Sequence, residues 1–428
     1  MGKKRVLICS IPCWNSKTGS DTFSSLMEGY DPDCIANLYI REDLPDSPVC
    51  HNYFRISESA VIKSIFRRNV KTGKHILTNN KKLNSDENIN NALQTQRRYQ
   101  KYKTKRNIFM LWVREFVWML GKWKTPELKK FVDDFSPDVV FFAMEGSIHF
   151  NRICRYVLKR SKAKGIGYFW DDNFTYKQSK NPMFFVYRFF QRNDIKKSVK
   201  ACSKFFAIAP KTKREADSVF NINCELLTKP VDLRGRSYLP YKPNKPLRIV
   251  YTGKLIAGRY ETIKLLGRAL EQINVKEDKA FLYVYTTTPL SDIQKSDCGK
   301  YVRFMPAVLQ TQISQIQSDA DILLFAESVR KNELGARLSF STKLTDYFKS
   351  GKCIFAIGNE DTAPIEYLKD NDAAVIASNK SETEKKLKLL IENPSLISVY
   401  GKNSFLCGKN NHEKSDIQNR LFSAFESD

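Results

Sequence analysis

"FSTKLTDYFKSGK", residues 340–352, opens with two hydroxyls and a lysine and then repeats apolar residues at helical spacing. Just upstream, "DADILLFAES" (319–328) has the unbroken apolar centre of a strand buried on both faces. Together they predict a strand, a loop and an amphipathic helix, with Ser341, Thr342 and Lys343 at the helix start. Hydroxyls at such a start cap backbone N–H groups, and the same N–H groups can hold a phosphate. The stretch alone leaves both roles open.

The same rhythm extends in both directions. "RVLIC" (5–9) precedes helix-like "DTFSSLM", and "PDVVFFA" (137–143) precedes "RICRYVLKRSKA"; "GIGYFW" (165–170) and "KFFAIA" (204–209) follow. After the Pro- and Lys-rich "LPYKPNKP" (239–246) it restarts with "LRIVYTG" (247–253), the helical "RYETIKLLGRALEQI", and four more apolar runs: "AFLYVYT", "YVRFM", "DILLFA" and "CIFAIG". Apolar strands alternating with helices predict parallel sheets covered on both faces. The expected fold class is therefore α/β, with two doubly wound Rossmann-like domains. Ligands of such sheets bind beyond the strand carboxyl ends, so a cleft between the domains is the expected site.

Length agrees, because 428 residues exceed one ordinary core, and 42% hydrophobic residues suffice for two. Seventy-one basic against 46 acidic residues leave a net charge of +25, which favours an anionic partner without naming it. A nucleic acid is one such partner, yet no helix-turn-helix, zinc or RNA-binding signature accompanies the charge. Ten cysteines, Cys9, Cys13, Cys202 and Cys353 among them, form no Cys-x-x-Cys pair, and four histidines show no ligand spacing. A reducing cytoplasm is the expected compartment. The start "MGKKRVLICSIPCW" reads as a first strand, and no run reaches the ~20 apolar residues that span a bilayer.

Residues 97–130 depart from the pattern, with eleven Lys/Arg against two acids. Within them "IFMLWVREFVWMLGKW" (108–123) is apolar nearly all round, with Trp112, Trp118 and Trp123. It suits either a core helix or an interfacial one, with Arg106, Lys122 and Lys124 on acidic headgroups. "KQSKNPMFFVYRFFQRNDIKKSVK" (177–200) repeats the mixture, so the first domain is expected to meet an acidic membrane surface.

"YTGKLIAGRYETI" (251–263) places Gly253 at a strand end, with Lys254 and Arg259 behind it. Two cations and a helix N-terminus beyond one sheet edge would make a diphosphate site. At these residues the chain resembles the retaining GT-B glycosyltransferases of the bacterial polysaccharide and lipid group, over most of its length. The resemblance implies Lys254 and Arg259 on the donor phosphates, assisting catalysis. "VRFMPAVLQTQISQIQSDADILLF" (302–325) resembles the base-binding turn, which implies Met305, Pro306 and Val308 near the nucleobase. The 340–358 stretch resembles the polysaccharide branch, with Ser341, Thr342 and Lys343 on the diphosphate and Asp346 facing the ribose. Gly19 and Ser20, in the loop after the first strand, would approach donor phosphate or sugar.

Two departures accompany the likeness. "YFWDDNFTYK" (168–177) carries Trp170, Asp171 and Asp172 where many relatives have a histidine. Asp171 is expected to position or deprotonate the acceptor hydroxyl, with Asp172 capping the turn or the two reversed; Glu145 is a lesser candidate and His149 structural. Relatives also pair two glutamates, and Leu338 stands at the first place; Glu327 or Glu333 could substitute. The resemblance implies transfer from a nucleotide diphosphosugar, without metal or other cofactor, to a lipid-linked or glycan acceptor in bacterial surface polysaccharide synthesis at the inner face of the plasma membrane. A partner subunit that binds nucleotide without catalysis is the alternative. Expected boundaries are 1–238 for the acceptor domain, 239–410 for the donor domain, and a terminal helix in 411–428 returning to the first.

Overall fold

The computed structural model describes residues 3–14, 22–67, 69–78, 108–330 and 337–427. The chain divides into two compact units, one of residues 1–208, 212–227 and 418–428, the other of 209–211 and 228–417. The linker expectation therefore shifts. Residues 228–238 go with the second unit, because Val231 bridges Glu413 and Leu233 packs on Phe405.

The first unit is built on an eight-stranded sheet: β1 (Val6–Ser10), β2 (Ile35–Tyr39), β3 (Asn52–Ile56), β4 (Gly73–Leu77), β5 (Val139–Ala143), β6 (Lys164–Phe169), β7 (Lys204–Ala207) and β8 (Glu225–Leu226), in the order β4-β3-β2-β1-β5-β6-β7-β8. All pairings are parallel except β3–β4, which is antiparallel. β1 and β5 are wholly buried, as their uninterrupted apolar sequences require. The order reverses between them, and the strand ends there form the switch point where such sheets take ligands. Residues 418–427 complete this unit's core: Tyr30 packs against Phe422 and Phe425, and Gln418 donates to the carbonyls of Ser25 and Leu26 at the end of the helix Thr22–Met27.

The second unit holds six parallel strands, β9 (Leu247–Thr252), β10 (Ala280–Tyr285), β11 (Val302–Met305), β12 (Ile322–Ala326), β13 (Cys353–Ile357) and β14 (Val375–Ala377), ordered β11-β10-β9-β12-β13-β14. Its switch point lies between β9 and β12. The helices Arg259–Ile273 and Lys343–Ser350 follow β9 and β12, and their first residues stand at the carboxyl edge of the sheet. β2, β3, β4, β8 and β14 were not expected from the sequence; "IANLY" and "NYFRI" mix apolar with polar residues, and β8 and β14 span only two and three residues.

Candidate active site

β9 ends at Thr252, and Gly253 turns the chain at φ 142°, a backbone that side chains rarely tolerate. A Cβ there would lie 2.0 Å from Lys343 Nζ, so glycine makes room for the lysine. The loop is pinned by the Tyr251 hydroxyl, which donates to the Lys254 carbonyl at 2.8 Å, and by the Leu255 N–H, which donates to Thr288 Oγ1 at 2.9 Å. Gly258, also left-handed, then starts the helix that carries Arg259.

Arg259 Nη2 donates to Glu327 Oε1 at 2.8 Å. Glu327, 7% exposed, follows β12 and is locked by its backbone: its N–H donates to the Ile357 carbonyl and its carbonyl accepts from Thr262 Oγ1. Burial pulls the guanidinium's pKa down, but the carboxylate outweighs this and the net shift is upward, so Arg259 stays charged. Lys343 Nζ sits 4.6 Å over the Tyr251 ring and donates to its hydroxyl at 3.4 Å. Burial, with Arg259 beside it, pushes the ammonium down to about 8 against the pull of Glu327. The helix Lys343–Ser350 has no side-chain cap: Thr342 is helical, the Ser341 carbonyl accepts from Leu344, and the Thr342 carbonyl accepts from Thr345 Oγ1. Capping therefore does not occupy the Thr342 hydroxyl at this helix start.

Three cations thus belong to one strand-end region, but not the three in the expected rank. Lys343 reaches Gly253 and Arg259 pairs with Glu327, each within electrostatic reach of the other, while the Lys254 side chain is exposed on the loop. Met305 and Val308 are half-buried and Pro306 exposed at the end of β11, two strands from β9 along the same edge. Asp346 is exposed one turn into its helix, with Lys229 and Lys349 near it. Gly19, Ser20 and Glu333 lie outside the described residues.

In the first unit two carboxylates follow strands on the β5 side of the switch point: Glu145, just past β5, and Asp171, just past β6. Burial and the neighbouring Asp171 charge push Glu145 up to about 7, against Arg41 and a hydrogen bond from the Trp170 side chain. A carboxyl group titrating near neutrality is suited to accept a proton. Asp171 Oδ1 accepts the N–H of Asp172 at 2.8 Å. Asp172, 1% exposed, is held inward: its carboxylate accepts from the N–H and hydroxyl of Thr175, and its carbonyl from Arg188. Of the expected pair, Asp172 is the turn anchor. Glu145, the lesser candidate in the sequence, is an acid just after a wholly buried strand. His149 is buried, bonded through Nδ1 to Glu115 at 3.0 Å and stacked on Trp118; burial lowers its pKa. Among the described residues no three His, Cys, Asp or Glu side chains group as metal ligands.

If Glu145 takes the acceptor proton, kcat/KM should fall as pH drops through about 7, where the carboxylate becomes protonated. Asp171→Asn removes the like charge and should move that limb to lower pH. A limb that stays in place in pH–rate profiles of the variant would separate the two groups.

No family model and no curated protein matches the sequence. Solved structures do. Anabaena Alr3699/HepE in complex with UDP superposes with a TM-score of 0.62 at 9% identity, covering 99% of each chain. Sucrose-phosphate synthase of Thermosynechococcus elongatus gives 0.61 at 9%, covering 99% of this chain and 98% of that one. TarM gives 0.60 at 9%, covering 99% of both. The fold is GT-B. In GT-B terms the first unit is the N-terminal Rossmann-like domain and the second the C-terminal one. At such identities the likeness shows the fold alone.

Proposed function

We propose that this GT-B chain transfers a sugar from a nucleotide diphosphosugar to an acceptor hydroxyl, with retention and without a metal ion. The carrying observation is at the switch point of the second sheet: Lys343, first residue of a helix with no side-chain cap, reaches over Gly253 beside Arg259, which is paired with Glu327. As a glycosidic bond breaks, charge builds on the leaving diphosphate. Fixed cations and backbone N–H groups stabilise that charge without having to reorganise. Support comes from HepE, whose structures contain UDP and UDP-glucose. Asp171 and Glu145 are assigned to the acceptor hydroxyl, Ser341 and Thr342 to the diphosphate, Asp346 to the ribose, and Met305, Pro306 and Val308 to the base. The acceptor is a lipid-linked glycan of bacterial surface polysaccharide, met at the cytoplasmic face of an acidic membrane. One observation favours a second reading, a subunit that binds nucleotide without catalysis: Glu327, which could have met the donor sugar, is engaged by Arg259.

Thermal unfolding against UDP, GDP, ADP and CMP tests the proposal. At ~100-fold excess over Kd a true ligand stabilises by about 2.7 kcal/mol, enough to raise Tm by several degrees. A rise with one nucleoside diphosphate is the expected result. No rise with any of them removes both readings; a rise without transfer or donor hydrolysis selects the second.

A further inference from the structure

Two neighbouring helices of the first unit turn apolar faces outward. The helix Ile108–Leu120 exposes Phe109 (62%), Phe116 (57%) and Met119 (56%), and the helix Pro182–Val199 exposes Met183, Val186 and Phe189. Trp112 of the first packs edge-on against Tyr187 and Phe190 of the second and joins the two faces. Exposed lysines flank the two helices: Lys122 and Lys124 just past the first, Lys180 just before the second, and Lys196 and Lys197 in its last turn. The acids of residues 108–124 and 178–200, Glu115 and Asp194, are buried and turned inward, onto His149 and Arg155. Neither helix is long and apolar enough to cross a membrane.

The inner faces hold the carboxylate loops. Glu115 accepts the N–H groups of Ile148 and His149 at 3.0 and 2.8 Å, three and four residues past Glu145. Gln191 donates to the Gly146 carbonyl, and Arg188 to the Asp172 carbonyl at 3.1 Å. The backbone on either side of the candidate acceptor groups is therefore fixed by the helices that carry the apolar surface.

We propose that this two-helix surface docks onto an anionic bilayer, and that docking brings acceptors carried in that bilayer to the Glu145–Asp171 edge. Insertion of Phe, Met and Val between lysines, with the acids turned away, is the chemistry of an interfacial helix pair on acidic headgroups. The second half of the proposal rests on the sugar-transfer reading; the docking does not.

The test floats the full chain with vesicles of phosphatidylcholine, alone or with about one-third phosphatidylglycerol. The chain is expected to float with the anionic vesicles and to detach as salt is raised. Phe116→Ser with Phe189→Ser should lower the partition coefficient roughly tenfold or more. Lys196→Glu with Lys197→Glu, on exposed positions that leave packing alone, should weaken binding to the anionic vesicles only. No flotation of the parent, or parent-like flotation of both variants, overturns the proposal. So does a dimer in sedimentation equilibrium that the Phe pair splits into monomers, since the face would then belong to a second copy. The melting shift with UDP, GDP, ADP or CMP is read on the same samples. Vesicle binding without that shift keeps the docking and removes sugar transfer, and the shift without vesicle binding does the reverse.

Discussion

Lys343→Ala should lower transfer turnover by roughly two orders of magnitude, while its melting temperature equals or exceeds the parent's. The two halves of that result have one cause. The ammonium is held among Gly253, the Tyr251 ring and Arg259, where burial depresses its pKa from 10.5 to about 8. A group whose folded pKa lies below its unfolded value opposes folding wherever it must be charged. That cost is complete below about pH 8 and fades as pH rises toward the unfolded pKa. Near pH 7 the alanine variant escapes it. What it loses, on the proposed assignment, is a fixed positive charge facing the leaving diphosphate, and one such donor typically supplies ~3 kcal/mol in the transition state. A third readout follows from the same ionisation. Nucleoside diphosphate affinity of the parent should weaken as pH climbs through about 8, and the variant should lack that dependence. Titration calorimetry from pH 6.5 to 9 and a thermal melt check both, with the pH range chosen around the lysine. Parent-like turnover in Lys343→Ala would remove the phosphate assignment.

Arg259→Ala should instead destabilise, by roughly 3 kcal/mol, because it strands the Glu327 carboxylate in a site only 7% exposed. Adding Glu327→Gln should recover most of that loss, since an amide needs no counter-charge there. Nucleotide affinity should not return with stability and should remain at least tenfold down, if the guanidinium meets the phosphate as proposed. Urea unfolding of the two single variants and the double gives the coupling directly, and UDP titration of the double gives the binding. If the double variant regains both, the pair is a structural ion pair and nothing more. Lys254→Ala, on an exposed side chain, provides the contrast: it should leave stability within ±0.5 kcal/mol whatever it does to turnover.

The doubly wound architecture was legible because buried parallel strands must be apolar on both faces, and "VVFFA", "ILLFA" and "CIFAI" can be little else. The first sheet's outer strands were not legible, since partial exposure lets polar residues in and blurs the period. In the site, the strand-end glycine and both flanking cations were readable from the spacing of "TGKLIAGR". Which lysine folds inward was not. Lys343 begins its helix, and side chains there lean back toward the helix N-terminus, over the end of β9. Nor could counting residues find Glu327 as the partner of Arg259. Their meeting depends on β9 and β12 lying side by side at the switch point, a relation of sheet order. For the Trp-rich stretch 108–123 the lone acid was the missed clue. Glu115 marks the inner side, and the exposed Phe and Met mark the other.

That residues 418–427 seal the first unit has a consequence for biosynthesis. Tyr30, Phe141 and the end of the helix Thr22–Met27 find Phe425 and Gln418 only after the entire second unit has been translated. Until that segment leaves the ribosome, the nascent N-terminal half carries an open apolar seam, so a truncation before residue 418 would harm the half of the protein made first.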